Sequence, residues 1–259
     1  MKKIIFYILI VLLFLSAGGF GIYFIIDSRR HETFSKEYDE YASEYVKSNF
    51  SDDNLYRAPD VSAMPDNLSP FKPPVCIDFS DLLRKSSSVI GWIYCDDTQI
   101  NYPVVIGSDN TFYLSHGITG DYNGYGAIFA DCGNDGTFSE PNTIPYGHHM
   151  TDGSMFADVA KYKKQEYYNE HPVLWLFTPE STYMIDVYSC YVTGADSDAY
   201  KIKFNDFDEY AAWLKKTMDS SLIKSEVSPD ITSRILTLST CSYEFSNARC
   251  VLHGLLVYA

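Results

Sequence analysis

From residue 89 to the C-terminus, the sequence is a series of short apolar segments separated by turn residues. The segments are rich in β-branched and aromatic side chains, and most are bounded by Gly, Asn, Asp or Pro, which is typical of strands. The predicted strands are 89–95, 100–106, 126–131, 142–147, 173–178, 182–193, 234–240 and 250–258. Eight such strands predict a mainly β fold, either a closed barrel or a sandwich.

Other segments have the apolar spacing of three to four residues that indicates a helix. They are 31–49, 78–85, 154–168 and 206–220, the last with Asp206 or Asn205 as its N-cap. Residues 50–75 contain five prolines and predict an extended surface linker. The 259 residues suffice for one core, so we expect a segment 1–30, a helix and linker over 31–78, and one domain over 79–259.

Residues 4–26 form a run of 23 residues without a charge. A helix of this length, rising about 1.5 Å per residue, can cross a hydrocarbon layer of about 30 Å, so the run predicts a membrane anchor. A cleaved signal peptide is the alternative, since residues 16–19 are small. Lys2 and Lys3 before the run favour an N-terminus inside the cell and a body outside.

The charge of the body limits its partners. Residues 31–259 carry 16 basic and 33 acidic side chains, a net charge of −17. Such a surface repels nucleic-acid phosphates and accommodates an amine or cationic partner more readily. The sequence therefore argues against a nucleic-acid partner.

Six cysteines are widely spaced along the chain. Their even number is compatible with three disulfides in an exported protein, but it decides nothing by itself. No CxxC pair and no Cys/His cluster with zinc spacing is present in the sequence. We expect neither a metal nor a cofactor.

The segment 235–240 alternates like a strand and ends at Cys241, where a polar loop begins. Arg249 opens the next strand eight positions later, so a hairpin would bring its guanidinium beside the thiol. A nucleophile with Arg donors nearby suits acyl transfer, because the donors can stabilise an oxyanion. The alternative is a buried structural Cys and a solvated surface Arg.

Two adjacent histidines, His148 and His149, follow the strand that ends at Gly147. Their side chains must point in different directions, so one can face a cleft while the other faces solvent. A His near an exposed Cys can activate the thiol or protonate an amide leaving group. A His taken alone is more often a packing or surface residue, and the spacing leaves both interpretations open.

Taken together, these segments resemble the sortase family, specifically class B. The resemblance covers roughly residues 79–258. It rests on TLSTC at 237–241, Arg249, YGHHM at 146–150, VIGWI at 89–93, INYPVV at 100–105, Asp109-Asn110 with Tyr113-Leu114, and GAIFAD at 126–131, all in the family's order.

The resemblance implies an eight-stranded β-barrel with N-terminal helices and an extra helix between strands six and seven, which 206–220 would provide. It also implies a membrane-anchored cysteine transpeptidase without a cofactor. Such an enzyme cuts a C-terminal sorting motif of a secreted protein after its Thr, forms a thioacyl-enzyme, and passes the protein to an amine of a peptidoglycan precursor.

By position, the resemblance makes Cys241 the nucleophile, His148 the acid and base, and Arg249 the stabiliser of the oxyanion. A disulfide between Cys241 and Cys250 would silence such an enzyme and is not expected at rest.

The resemblance also places Ser239, Asn110 and Leu114 in the peptide groove. His149 receives no role and is expected to be an exposed neighbour. Pro145 departs from the aliphatic residue common in this strand of the family, and it suggests an edge or bulged strand because it lacks a ladder N–H.

Two other functions stay open at this point. A hydrolytic cysteine peptidase would use the same Cys and His but resolve the acyl-enzyme with water instead of an amine. A non-catalytic anchored binding module would tolerate replacement of Cys241.

Overall fold

A computed structural model describes residues 33–48 and 72–259 of the chain. Tyr41–Ala259 forms one compact unit, and of the other unit, Met1–Glu40, the described residues 33–40 are helical. The expected anchor and most of the expected linker lie outside the described residues. Among those that are described, no helix combines the length and the apolar character needed to cross a bilayer.

The described elements follow the strand-rich pattern of the sequence. The helices are α1 (33–45), α2 (Phe79–Lys85), α3 (Gln165–Glu170) and α4 (Phe207–Asp219). The strands are β1 (Val46–Ser48), β2 (Val75–Ile77), β3 (Val89–Tyr94), β4 (Asn101–Ile106), β5 (Ile128–Ala130), β6 (Asn142–Thr143), β7 (Pro145–Tyr146), β8 (Val173–Phe177), β9 (Thr182–Gly194), β10 (Ile235–Cys241) and β11 (Ala248–Tyr258). Three 3₁₀ segments of the described chain are Phe112–Leu114, Ala157–Lys163 and Asp198–Tyr200.

Strands β3 to β11 form a closed barrel. The neighbours run in the order β11, β9, β8, β3, β4, β5, β7, β10, and the pairing of β10 with β11 closes the ring. Strands β6 and β7 both pair in parallel with β10, so they are two parts of one interrupted strand. Within the described residues the barrel therefore has eight strands, as predicted.

Helix α4 packs on the outside of the barrel and connects its sixth and seventh strands, β9 and β10, as predicted. Its carboxylate N-cap is Asp206, which accepts a 2.8 Å hydrogen bond from the Glu209 N–H. The buried face carries Tyr210, Trp213 and Leu214, which cluster with Ile235 of β10. Burial of each large apolar side chain contributes roughly 1.5–3 kcal/mol.

The expected helix at 154–168 is wrong. A 3₁₀ segment, Ala157–Lys163, is separated from α3 by Lys164, which has an extended backbone. The 3₁₀ segment is buried on several sides, and its Asp158 carboxylate accepts a hydrogen bond from the Gln99 N–H at 3.0 Å. Packing against the barrel thus outweighs the local helical pattern.

The first helix is also shorter than expected, because it ends at residue 45. Strand β1 follows at once and pairs antiparallel with β2, so residues 75–77 are not linker. The Asp78 N–H donates to the Tyr45 carbonyl at 2.9 Å, and Tyr45 is buried. The helix ends at residue 45 because residues 46–48 form sheet hydrogen bonds with β2, which is distant in the chain.

Pro145 does not mark an edge strand. Strand β7 lies between β5 and β10, and the chain is interrupted at the preceding residue, Ile144. There the Ile144 N–H donates to the Asn134 side chain at 3.0 Å, and the Ile144 carbonyl accepts from Asp131 at 2.9 Å. Strand β7 therefore lies inside the barrel wall although Pro145 has no N–H to donate.

Candidate active site

The hairpin of β10 and β11 brings Cys241 opposite Arg249. The two strands are antiparallel, and these two residues are partners in their register. Residues directly opposite in an antiparallel pair have their side chains on the same face. The hairpin predicted from the sequence is therefore present, and Cys241 is a half-buried free thiol at its end.

Beside this hairpin is a cavity of about 230 Å³. It is the place where the sequence-predicted residues meet, although they are far apart in the chain. All six contribute to its wall: Cys241, His148, Arg249, Ser239, Asn110 and Leu114.

His148 lies just beyond β7, where the chain leaves the barrel wall. Its Nε2 is 2.7 Å from the carbonyl oxygen of Leu114. Because a carbonyl only accepts, Nε2 carries a proton, and Nδ1 is the nitrogen that is left to take or give a second one. The 112–114 segment therefore fixes the orientation of this imidazole.

Gly147 explains how the chain reaches His148. A Cβ atom at this position would lie 2.4 Å from Cδ1 of Ile128 and 2.7 Å from Cδ2 of Phe156. Its N–H donates to the Ser239 carbonyl at 3.1 Å, the last backbone bond between this segment and β10 that the structure shows. Only glycine fits this approach without a shift of its neighbours.

Arg249 is half-buried, and its Nη1 donates to the carbonyl of Ala248 at 3.0 Å. A guanidinium has five N–H donors, so this bond occupies one of them. The side chain is thereby held at the cavity wall with further donors in a fixed planar arrangement.

Tyr200 also lines the cavity, although it was not predicted from the sequence. Its hydroxyl shares a 2.9 Å hydrogen bond with the hydroxyl of Ser239. Burial raises the pKa of Tyr200, although Ser239 and the Arg249 charge act in the opposite direction. Tyr200 comes from the 3₁₀ segment after β9, and no local pattern singles out that position.

Asp131 is the second residue that was not selected from the sequence. Its Oδ2 accepts hydrogen bonds from Asn110 Nδ2 at 2.9 Å and from the Tyr146 hydroxyl at 2.7 Å. The Cys132 N–H donates to Asn110 Oδ1 at 2.8 Å, so both ends of the amide are oriented. Burial, followed by the Asp131 carboxylate, raises the pKa of Tyr146 and keeps it a neutral donor.

His149 is not the exposed neighbour that was expected. It is half-buried, and its Nδ1 is 3.0 Å from the carbonyl oxygen of Cys241. Its ring centroid is 5.4 Å from that of Tyr243 in the loop after the thiol. The imidazole of His148 thus contacts the Leu114 carbonyl, whereas that of His149 contacts the Cys241 carbonyl.

The loop between β10 and β11 is tied to the 3₁₀ segment 157–163. Lys163 pairs with Glu244 at 2.5 Å, and the Ser242 hydroxyl donates to the same carboxylate. The hydrogen bonds from Lys163 and Ser242 lower the pKa of Glu244 to about 2. The loop next to Cys241 is therefore attached to the segment that follows His148.

All six cysteines lie in described residues and are free thiols. Cys250 is buried behind the hairpin, with its Sγ 3.7 Å from that of Cys190. Within the described residues, no group of three or more His, Cys, Asp or Glu side chains is arranged to hold a metal ion.

No protein-family model matches the chain. Sortase B of Listeria monocytogenes serovar 1/2a is 34% identical over 182 residues, which are 70% of this chain and 74% of the relative. The 2.0 Å crystal structure of Staphylococcus aureus Sortase B has a TM-score of 0.67 and 31% identity over 70% of this chain and 87% of that one. A structure of Sortase B complexed with triglycine has a TM-score of 0.66 and 31% identity, over 70% and 86% of the two chains.

Sequence identity and fold agree in these comparisons. Both cover about 70% of this chain and more than two thirds of the relatives. The chain therefore belongs to the class B sortases, the cysteine transpeptidases of the cell wall.

Proposed function

We propose that this sortase cuts a C-terminal sorting motif of secreted proteins after its Thr, holds the protein as a thioester on Cys241, and transfers it to an amine of a peptidoglycan precursor. The observation that carries the proposal is the position of Cys241 opposite Arg249 in a cavity that His148 also lines.

In the first half-reaction, His148 Nδ1 takes the proton of the Cys241 thiol, and the resulting thiolate attacks the Thr carbonyl carbon to form a C–S bond. The carbonyl oxygen becomes an oxyanion, which the N–H donors of Arg249 stabilise. Protonated His148 then gives a proton to the leaving amine, and the C–N bond breaks. Because Nε2 donates to Leu114, Nδ1 is the atom that delivers this proton.

In the second half-reaction, an amine attacks the thioester carbon. His148 Nδ1 accepts the proton that the amine loses, a new C–N bond forms, and the Cys241 thiolate leaves. One amide has replaced another, so the sequence of steps needs no oxidant, reductant or cofactor. Attack by water instead of the amine is the hydrolytic alternative.

The peptide groove is formed by residues with oriented polar groups beside an apolar one. The Ser239 hydroxyl is held by Tyr200, and the Asn110 amide is held by Asp131. Leu114 has 43% of its surface exposed at the wall and offers an apolar contact. Such alternation suits an extended peptide whose backbone and side chains are both recognised.

The acceptor is proposed to be an amine on two grounds. The body has a net charge of −17, which favours a cationic partner over an anionic one. In addition, one matched Sortase B structure is complexed with triglycine, and a glycine peptide begins with an amine. The uncharged run 4–26 supports a single membrane anchor that keeps the body outside the cell.

The test incubates the full-length chain with peptides that contain sorting-type motifs, with and without triglycine, and identifies the products by mass spectrometry. We expect cleavage after Thr and a triglycine adduct that depends on Cys241. Cys241→Ala should form neither product. Equal behaviour of wild type and Cys241→Ala on every motif would contradict the proposal, and acid product alone in excess triglycine would favour the peptidase.

Anchoring is tested separately by expressing the full chain and a 31–259 variant and separating membranes from soluble protein. We expect the full chain in the membrane fraction with its N-terminal residues retained. Recovery of a chain that starts shortly after residue 19 would instead identify a cleaved signal peptide.

A further inference from the structure

The parallel ladder between β7 and β10 stops beside the thiol. Ser239 pairs with Tyr146, and the Gly147 N–H donates to the Ser239 carbonyl at 3.1 Å. Bonds of a parallel ladder recur evenly, every two residues along each chain. The next bond that this segment would donate to β10 joins the N–H of residue 149 to the carbonyl of Cys241.

At this point the backbone has already turned away from β10. The His148 carbonyl accepts from the Phe156 N–H at 2.9 Å, and His149 forms an isolated antiparallel bridge with Met155. Met155 has a positive φ of 56°, and Gly153 has one of 89°, so the segment folds back on itself. The backbone of His149 is therefore part of this turn and not of the ladder with β10.

The imidazole of His149 supplies the missing bond. Its Nδ1 is 3.0 Å from the Cys241 carbonyl, and since that oxygen only accepts, Nδ1 carries the proton. The same ring contacts Tyr243 at a centroid distance of 5.4 Å. One side chain thus continues the ladder by one bond, between the two segments that carry Cys241 and His148.

We propose that His149 is a positioning residue for transpeptidation: its Nδ1–H donates to the Cys241 carbonyl and holds the thiol at the correct distance from the His148 imidazole. The proposal rests on the proposed function of Cys241 and His148. His149 is not part of the cavity wall and acts through Cys241. Since a misplacement of about 1 Å can cost about 100-fold in rate, loss of this bond should lower kcat much more than it changes KM.

The test compares two variants of the full-length chain that are nearly equal in shape. His149→Asn keeps an N–H donor close to the position of Nδ1, whereas His149→Leu removes it. We expect His149→Leu to lower kcat roughly 10- to 100-fold with KM within about twofold, and His149→Asn to retain kcat within about threefold.

A second measurement reports on the thiol without a substrate. Iodoacetamide labelling, followed by mass spectrometry of the Cys241 peptide, should be several-fold slower in His149→Leu than in wild type and His149→Asn. The exposed thiol of Cys132 in the same samples is the internal reference and should label equally in all three.

Equal kcat in the Asn and Leu variants would overturn the positioning role. So would a loss of kcat in both that follows a fall in Tm, because a purely structural role predicts that result. If wild type shows no Cys241-dependent cleavage, the proposed function fails instead. Labelling then decides the positioning role alone, and equal Cys241 labelling in wild type and His149→Leu would reject it.

Discussion

Cys241 and Arg249 are direct cross-strand partners at the loop end of the β10–β11 hairpin. The loop that joins their strands ends at Asn247, whose φ is +60°. This pairing makes the distance between thiol and guanidinium a property of the barrel wall and not of a flexible loop. The consequences of the arrangement can be tested with single substitutions.

The first prediction concerns the shape of the Arg249 side chain. Arg249→Lys keeps the charge but loses the planar set of donors, so it should lower kcat for peptide cleavage by roughly 100-fold. Arg84→Lys is the matched control, because Arg84 is exposed and forms an ion pair with Asp81 on α2. A wild-type rate in Arg249→Lys would show that charge alone suffices.

The second prediction concerns the hydrogen bond between Tyr200 and Ser239. Tyr200→Phe and Ser239→Ala each remove one partner of the 2.9 Å contact in the groove, so each should weaken substrate binding about three- to tenfold. Because both act on one bond, the double variant should be only slightly worse than either single one. Fully additive changes in KM across this cycle would mean that the two hydroxyls act independently.

The third prediction concerns the attachment of the loop after Cys241. Glu244→Gln removes the charge that pairs with Lys163, and the loop should become more accessible to protease. Tyr243 and Phe245 are exposed chymotrypsin sites, so cleavage there should become several-fold faster. Asp219→Asn, which breaks the exposed pair with Lys215, should leave it unchanged.

The same pair also has a pH dependence. The pKa of Glu244 is lowered to about 2, so its favourable contribution is complete above the unfolded value of about 4.3 and disappears as the pH falls towards 2. Because chymotrypsin is not active at that pH, cleavage of the loop below pH 4 should be measured with pepsin. Loop cleavage that is equally slow in wild type and Glu244→Gln at neutral pH would contradict the proposed attachment.

The fourth prediction concerns His253, which is fully buried on β11. Its Nδ1 bonds the Thr237 hydroxyl at 2.8 Å and its Nε2 bonds the Tyr191 hydroxyl at 3.2 Å. Thr237 in turn donates to Asn142 at 2.6 Å, so Thr237 accepts from a protonated Nδ1. With Nδ1 donating to Thr237 and Nε2 accepting from the Tyr191 hydroxyl, the imidazole is neutral.

Burial lowers the pKa of His253 to about 3, whereas it is about 6.5 in the unfolded chain. The unfolded state therefore binds a proton first, and this group destabilises the fold as the pH falls from about 6.5 towards 3. The contribution of His253 to the change in the free energy of unfolding approaches about 1.4 kcal/mol per pH unit. Urea unfolding at several pH values should show a shallower slope in His253→Asn, and an unchanged slope would contradict a buried neutral imidazole.

Local patterns account for much of the fold and part of the site. The eight strands follow alternation and turn residues, and α4 follows its apolar spacing and its Asp206 cap, because both depend on residues close in the chain. The pairing of Cys241 with Arg249 could be predicted for the same reason, since a hairpin joins neighbouring strands. His148 could be selected only through the family resemblance.

Other features depend on contacts between distant segments, which the sequence pattern does not encode. Residues 154–168 look helical, but burial against the barrel divides them into a 3₁₀ segment and α3. Tyr200 reaches the cavity, and Asp131 reaches Asn110 at the cavity wall, only because β9 and β5 are parts of a closed barrel. His149 looked like an exposed neighbour, yet the register of β7 with β10 sets its imidazole against the carbonyl of Cys241. The sequence by itself thus determined the strands, the hairpin and the family, whereas barrel closure decided which side chains meet around the thiol, because hydrogen bonds and burial act across space and not along the chain.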